Sequence, residues 1–160
     1  MRARSRSAVD THALAGALAE LARPGDVILL AGELGAGKTA FTQGFGAALG
    51  VREPITSPTF TLASQYEGRL DLNHVDVYRL EQLSEVLDLG LPEMLDEGGV
   101  TVIEWGDAIV GALPADYLLI RLTYGDGVDD RDLELELVGS RWSARRRAVS
   151  LALDPWLQPC

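Results

Sequence analysis

The chain has 160 residues, of which 47% are apolar, which is enough for one compact domain with a buried core and short for two. The only cysteine, Cys160, excludes an internal disulfide framework and favours a reducing, cytoplasmic location. The formal charge of −10 argues against a broad nucleic-acid-binding face. No apolar run has the length of a membrane helix.

The first half of the chain predicts the order helix, strand, helix. An amphipathic repeat indicates a helix that Asp10 or Thr11 caps at its start. The segment 26–31 is almost wholly apolar and of strand length, which is typical of a strand buried on both faces of a parallel sheet. A second helix begins near Lys38 and stops at Gly50. A glycine-rich loop therefore connects a buried strand to a helix.

The second half of the chain adds a hairpin, short helices and further strands. In chain order these are predicted at 60–66 and 69–78 (hairpin strands), 84–95 (one or two short helices), 100–103 (a buried strand), 108–112 (a helical turn), and 116–124 and 132–138 (half-exposed strands around a turn). The whole pattern predicts an α/β domain with a mainly parallel central sheet flanked by helices, a β-hairpin and antiparallel C-terminal strands.

One domain is predicted over residues 1–140, followed by an arginine-rich tail at 141–160 that is helical or flexible. The chain has two arginine clusters, one within the first six residues and one in this tail. The tail cluster contains Arg141, Arg145, Arg146 and Arg147. We expect both clusters to be solvated, with docking on an acidic partner as the alternative.

The loop GELGAGKT, residues 32–39, satisfies the pattern G-x-x-x-x-G-K-[ST] between a strand and a helix. Such a loop turns backbone N–H groups toward phosphate, and the helix N-terminus adds partial positive charge. Lys38 is the single lysine beside 13 arginines. Its compact ammonium can follow the β- and γ-phosphates within a tight loop, where a planar guanidinium is bulkier. Thr39 supplies a hydroxyl to Mg²⁺, so ATP and Mg²⁺ are the expected cofactors. With this loop, the single α/β domain is expected to be P-loop NTPase-like.

A phosphate loop also requires a carboxylate at the end of a neighbouring strand. Glu104 and Asp76 compete for this role, and Glu104 fits a strand end better, so we assign it to Mg²⁺. Asp76 is then the candidate for orienting the attacking water. His74 lies two residues from Asp76, but two ligands are too few for a structural zinc site. The segment 57–61 is a candidate sensor of the γ-phosphate or an ordinary loop.

Four motifs carry a resemblance to a known family. GELGAGKT, TSPTFTL, HVDVYRL and VIEW stand in the order and approximate spacing of TsaE, the P-loop ATPases of bacterial tRNA threonylcarbamoyladenosine synthesis. The likeness extends from Thr11 to around Arg131 and fades after Gly139. It implies Mg²⁺-dependent ATP binding with weak hydrolysis. It also implies work within a complex with TsaB and TsaD that modifies adenosine 37 of ANN-decoding tRNAs, so tRNA is met indirectly.

The resemblance also assigns roles residue by residue. Lys38 and Thr39 resemble the family's phosphate and metal ligands, Glu104 its metal-linked acid, and Asp76 the acid that faces the γ-phosphate. The expected catalytic residues are therefore Asp76, Lys38 and Glu104. Residues expected to contact the nucleotide comprise Thr11, Gly35, Ala36, Gly37, Lys38, Thr39, Ala40, Trp105 and Arg131.

Three other functions fit parts of the sequence. A small-molecule kinase uses the same loop, but such kinases usually carry an arginine-bearing lid, whereas the middle of this chain is a hairpin with few arginines. A regulatory GTPase usually recognises guanine with an N-K-x-D motif. This motif requires a second lysine, and Lys38 is the only lysine of the chain. A nucleotide-binding scaffold without turnover shares most of these residues, so the sequence leaves it open.

Overall fold

The computed structural model describes residues 1–33, 35–56, 63–77, 90, 93, 96–104 and 115–159. Within these residues the strands are β1 (Arg2–Ser5), β2 (Val27–Gly32), β3 (Ala63–Tyr66), β4 (Leu72–Asp76), β5 (Val100–Glu104), β6 (Tyr117–Tyr124) and β7 (Arg131–Val138). The helices are α1 (Ala8–Ala19), α2 (Lys38–Ala48), α3 (Ser140–Ser143) and α4 (Arg146–Ala152), followed by a 3-10 turn at Asp154–Trp156. No helix among the described residues has both the length and the apolar character that crossing a membrane requires.

The described strands form one seven-stranded sheet in the order β1-β7-β6-β2-β5-β4-β3. Strands β6, β2, β5 and β4 are parallel neighbours at its centre. Both edges are antiparallel, with β1 and β6 pairing to β7 on one side and the β3–β4 hairpin on the other. The predicted mainly parallel sheet, the hairpin and the antiparallel C-terminal strands are therefore confirmed.

Helices α1 and α2 pack together over one face of the sheet. Phe41 and Phe45 of α2 are fully buried there with Leu14 of α1. Gly44 permits the close approach, since a Cβ at this position would lie 2.4 Å from the Cα of His12. The apolar faces of the two helices therefore pack against each other and against the parallel strands. This packing holds the start of α2 near the end of β2.

The predicted cap of the first helix is wrong. Ser7 is the N-cap, and its side chain accepts a hydrogen bond from the N–H of Asp10 at 3.0 Å. Strand β1, which the sequence did not predict, pairs with β7 and ends at Ser5. The helix therefore begins at Ala8, earlier than expected. Thr11 consequently lies inside the first turn, where its hydroxyl meets that of Ser5 at 2.5 Å.

The C-terminal tail packs against the sheet domain. Trp142, Val149 and Leu153 belong to the same core cluster as the α1–α2 face of the sheet. Arg145 is buried and binds both carboxylate oxygens of Asp26, at 2.8 and 2.7 Å. The expectation of a solvated cluster is therefore wrong for Arg145, because a buried carboxylate at the start of β2 requires a cationic partner.

Several predicted elements lie outside the described residues. The short helices at 84–95 fall there for the most part, and the helical turn at 108–112 falls there entirely. The same holds for Trp105 and for the candidate sensor at 57–61.

Candidate functional site

The glycine loop lies at the carboxyl end of β2, as the sequence predicts. Gly37 caps α2 with a φ of 107°, and Gly35 has a φ of 83°, both in the left-handed region that glycine adopts without strain. A Cβ at Gly32 would lie 2.7 Å from the carbonyl oxygen of Leu122 on β6. Glycine is therefore favoured at all three positions, by backbone conformation at Gly35 and Gly37 and by the close approach of β6 at Gly32.

Lys38 is enclosed at the base of this loop. The residue is 6% exposed, and its Nζ donates a hydrogen bond to the carbonyl oxygen of Gly32 at 2.5 Å. Burial lowers the pKa of Lys38 below the usual lysine value, and the negative charges of Glu104 and Asp76 oppose that shift. The ammonium of Lys38 is thus held within electrostatic reach of both carboxylates.

Asp76 and Glu104 end neighbouring strands. They are register partners in the parallel β4–β5 pair, and both are buried. Residue alternation places them on the face that α2 covers, together with Leu72 and Val102. Thr39 follows Lys38 in the first turn of α2. A hydroxyl and two carboxylates are the oxygen donors that Mg²⁺ prefers, so the residues present fit a magnesium ion bound with phosphate.

His74 completes this cluster on the same strand as Asp76. Its Nε2 lies 2.9 Å from Oε1 of Glu104, and both side chains are almost wholly inaccessible to solvent. The spacing of two residues correctly places His74 on the face of Asp76. Sequence reasoning missed the contact with Glu104, because that contact depends on how β4 pairs with β5.

A small cavity lies beside the loop, between the start of α1 and the turn before β7. Its volume is about 180 Å³, and its lining comprises Ser7, Ala8, Thr11, Gly35, Gly37, Ala40, Asp129 and Arg131. The structure therefore brings together five of the predicted nucleotide contacts. Ala36, another predicted nucleotide contact, does not line this cavity. It is buried, and its N–H donates to the carbonyl oxygen of Glu33 at 3.0 Å.

Arg131 borders this cavity and packs against the ring of Tyr124. The guanidinium carbon lies 4.6 Å from the centre of the Tyr124 ring, and Nη1 donates to the carbonyl oxygen of Val128 at 3.0 Å. A Cβ at Gly35 would lie 2.8 Å from Oη of Tyr124, so the tyrosine closes over the loop. Tyr124 was not predicted as a site residue, since a tyrosine ending an alternating strand carries no distinguishing pattern.

Comparison with known proteins places the whole site inside one family. The family described as threonylcarbamoyl adenosine biosynthesis protein TsaE matches residues 5–133. The chain belongs to the TsaE family. The tRNA threonylcarbamoyladenosine biosynthesis protein TsaE of Treponema pallidum is 48% identical over 114 residues, 71% of this chain and 84% of that protein. TsaE of Bacillus subtilis is 45% identical over 134 residues, 83% of each chain.

A solved structure confirms the fold of this TsaE chain. The crystal structure of Bacillus subtilis YdiB superposes with a TM-score of 0.81 at 36% identity, covering 94% of each chain. The TsaE resemblance carried by the four motifs is therefore confirmed. The family match ends at residue 133, so Arg141 and Arg145, which bind Asp26, lie beyond it.

Proposed function

We propose that this chain binds ATP with Mg²⁺, hydrolyses it slowly, and supports tRNA threonylcarbamoyladenosine biosynthesis within a complex with TsaB and TsaD. One observation carries the proposal. The glycine loop holds Lys38 close to Asp76 and Glu104, which are the last residues of β4 and β5. A lysine and two carboxylates beside a glycine loop suit a triphosphate and its metal. The family's printed role in threonylcarbamoyl adenosine biosynthesis supplies the process.

The proposed roles follow from position. The loop N–H groups and the start of α2 hold the phosphates, and the ammonium of Lys38 balances their charge. A bound magnesium ion would neutralise charge on the phosphate oxygens. Thr39 and Glu104 would hold that ion. Asp76, the register partner of Glu104 on the adjacent strand, would accept a hydrogen bond from a water and orient it.

The state of the arginine beside the loop supports slow turnover in isolation. P-loop hydrolysis is often completed by a charge-stabilising group from a partner. Arg131 lies beside the loop, but its guanidinium donates to the carbonyl oxygens of Val128 and Asp130 and lies over the Tyr124 ring. Full activity would accordingly depend on docking to the TsaB–TsaD complex, with tRNA met through that complex.

Reconstitution tests the process and separates it from a small-molecule kinase. Threonylcarbamoyl groups on tRNA are counted per TsaB–TsaD complex with wild-type chain, with Asp76→Asn, and with none. We expect many rounds with wild type and few with Asp76→Asn, because the variant removes the proposed water-orienting carboxylate while leaving the phosphate loop intact. Equal product in the three reactions would contradict the proposal. Transfer of the γ-phosphoryl group to a metabolite would support the kinase.

A further inference from the structure

We propose that His74 is a positioning residue that fixes one oxygen of Glu104, so that the other oxygen faces the metal and Glu104 does not fold onto Lys38. This inference rests on the proposed function and deepens it. His74 lies in the middle of β4 and is 0% exposed. Its Nε2 approaches Oε1 of Glu104 at 2.9 Å. The contact joins the neighbouring strands β4 and β5 on the face of the sheet that α2 covers.

The partner decides which ring nitrogen carries the proton. A carboxylate can only accept, so the His74 Nε2–H donates to Oε1 of Glu104. The opposite ring nitrogen, Nδ1, is buried and has no hydrogen-bond partner in the described parts of the chain. The arrangement therefore requires a proton on Nε2. Among the described residues, Glu104 is the hydrogen-bond partner of the His74 ring.

Fixing Glu104 matters because a competing partner is close. Lys38 lies near enough to Glu104 for the carboxylate charge to act on its pKa. A glutamate free to rotate would be attracted to that ammonium in a buried setting, where attraction is stronger than in water. The histidine holds one oxygen of Glu104 toward β4, and this opposes rotation of the carboxylate toward the ammonium of Lys38. Partners that orient a metal-binding side chain commonly raise metal affinity about ten- to a hundredfold.

Two replacements separate the hydrogen bond from the packing of the ring. His74→Phe keeps a planar ring of similar size but removes the donor. His74→Gln places an amide N–H₂ near the position of Nε2 and so restores the donation to Glu104. The chain has only one other histidine, His12 on α1, so His12→Gln serves as the matched control.

The first measurement needs neither nucleotide nor metal. Nitrogen-15 NMR of the tag-free protein should show two imidazole spin systems, because the chain has two histidines, and the His12→Gln spectrum would identify that of His74. We expect His74 to carry its proton on Nε2. Replacing Glu104 with alanine should move the Nε2 and its proton resonance and leave those of His12 unchanged. A His74 ring protonated only on Nδ1, or one insensitive to Glu104→Ala, would overturn the inference.

The second measurement separates metal affinity from nucleotide affinity. ADP binding without Mg²⁺ and the Mg²⁺ dependence of ATP-analogue binding are titrated for each variant. For His74→Phe we expect the half-saturating Mg²⁺ concentration to rise about tenfold or more, ADP binding without Mg²⁺ to change little, and His74→Gln to recover most of the loss. Unchanged Mg²⁺ dependence in His74→Phe would overturn the role given to His74 and leave the proposed function standing. A wild-type protein that binds no nucleotide would overturn both the role of His74 and the proposed function.

Discussion

Replacing Arg145 with methionine is expected to lower the free energy of unfolding by about 3 kcal/mol. Arg145 is 4% exposed, and its guanidinium binds both oxygens of Asp26, at 2.8 and 2.7 Å. It also covers the ring of Trp142 at 3.8 Å. Breaking a buried pair by removing one partner costs about 3 to 5 kcal/mol, since the other charge stays buried.

The lower end of that range follows from what remains around Asp26. Nε of Arg141 still lies 3.1 Å from Oδ1, and the N–H of Arg23 still donates to Oδ2 at 2.8 Å. The carboxylate therefore keeps two partners after the substitution. Methionine fills most of the volume of the arginine stem, so the loss reports the guanidinium more than a cavity.

Chemical denaturation of Arg145→Met beside Arg147→Met gives the measurement. Arg147 is exposed and lies two residues further along, in the first turn of α4, and the same replacement there should change the free energy of unfolding by less than about 0.5 kcal/mol. The transition of Arg145→Met should move to lower denaturant with an unchanged slope. Equal small changes in the two variants would refute the argument that the tail is held through Asp26.

Two further predictions concern the helix pair and the phosphate loop. Gly44→Ala should destabilise the protein by about 1 to 3 kcal/mol, because the new methyl group meets backbone atoms of His12. A Cβ at Gly16 would meet Ala48 Cβ at 3.5 Å and the carbonyl oxygen of Gly44 at 3.8 Å, which are ordinary van der Waals contacts, so Gly16→Ala should gain up to about 1 kcal/mol from helix propensity. Thermal or denaturant unfolding compares the two variants, and similar changes would contradict the packing argument. Lys38→Arg should weaken ATP binding although the charge is kept, because the ammonium is enclosed against Gly32. A titration that shows wild-type affinity would refute this.

The sequence predicted the sheet well because its signals are local. The apolar run before the glycine loop, the alternation around Glu67-Gly68 and the paired runs near the C-terminus each specify an element within a few residues. The position of the candidate site could also be predicted, because Lys38 and the loop glycines lie within one short stretch of the chain. These parts of the fold required no knowledge of distant contacts.

What the sequence could not predict depends on pairing between distant segments. Strand β1 is only four residues long and gains its role from hydrogen bonds to β7. The bond between His74 and Glu104 joins residues that are 30 apart in sequence. Arg145 lies 119 positions from Asp26, so its burial could not be distinguished from a solvated arginine by composition. Local spacing fixed which face each side chain occupies but not which partner it meets.

A binding titration of an ATP analogue with Mg²⁺ tests the central claim most directly, with wild-type chain and Lys38→Ala in parallel. The account predicts saturable binding by wild type and binding weaker by about tenfold or more in the variant, which is the effect of losing a charge-assisted hydrogen bond. Circular dichroism of both proteins controls for folding. Absence of binding to the wild type, or equal affinity in a folded Lys38→Ala, would contradict the assignment of this loop as a nucleotide site.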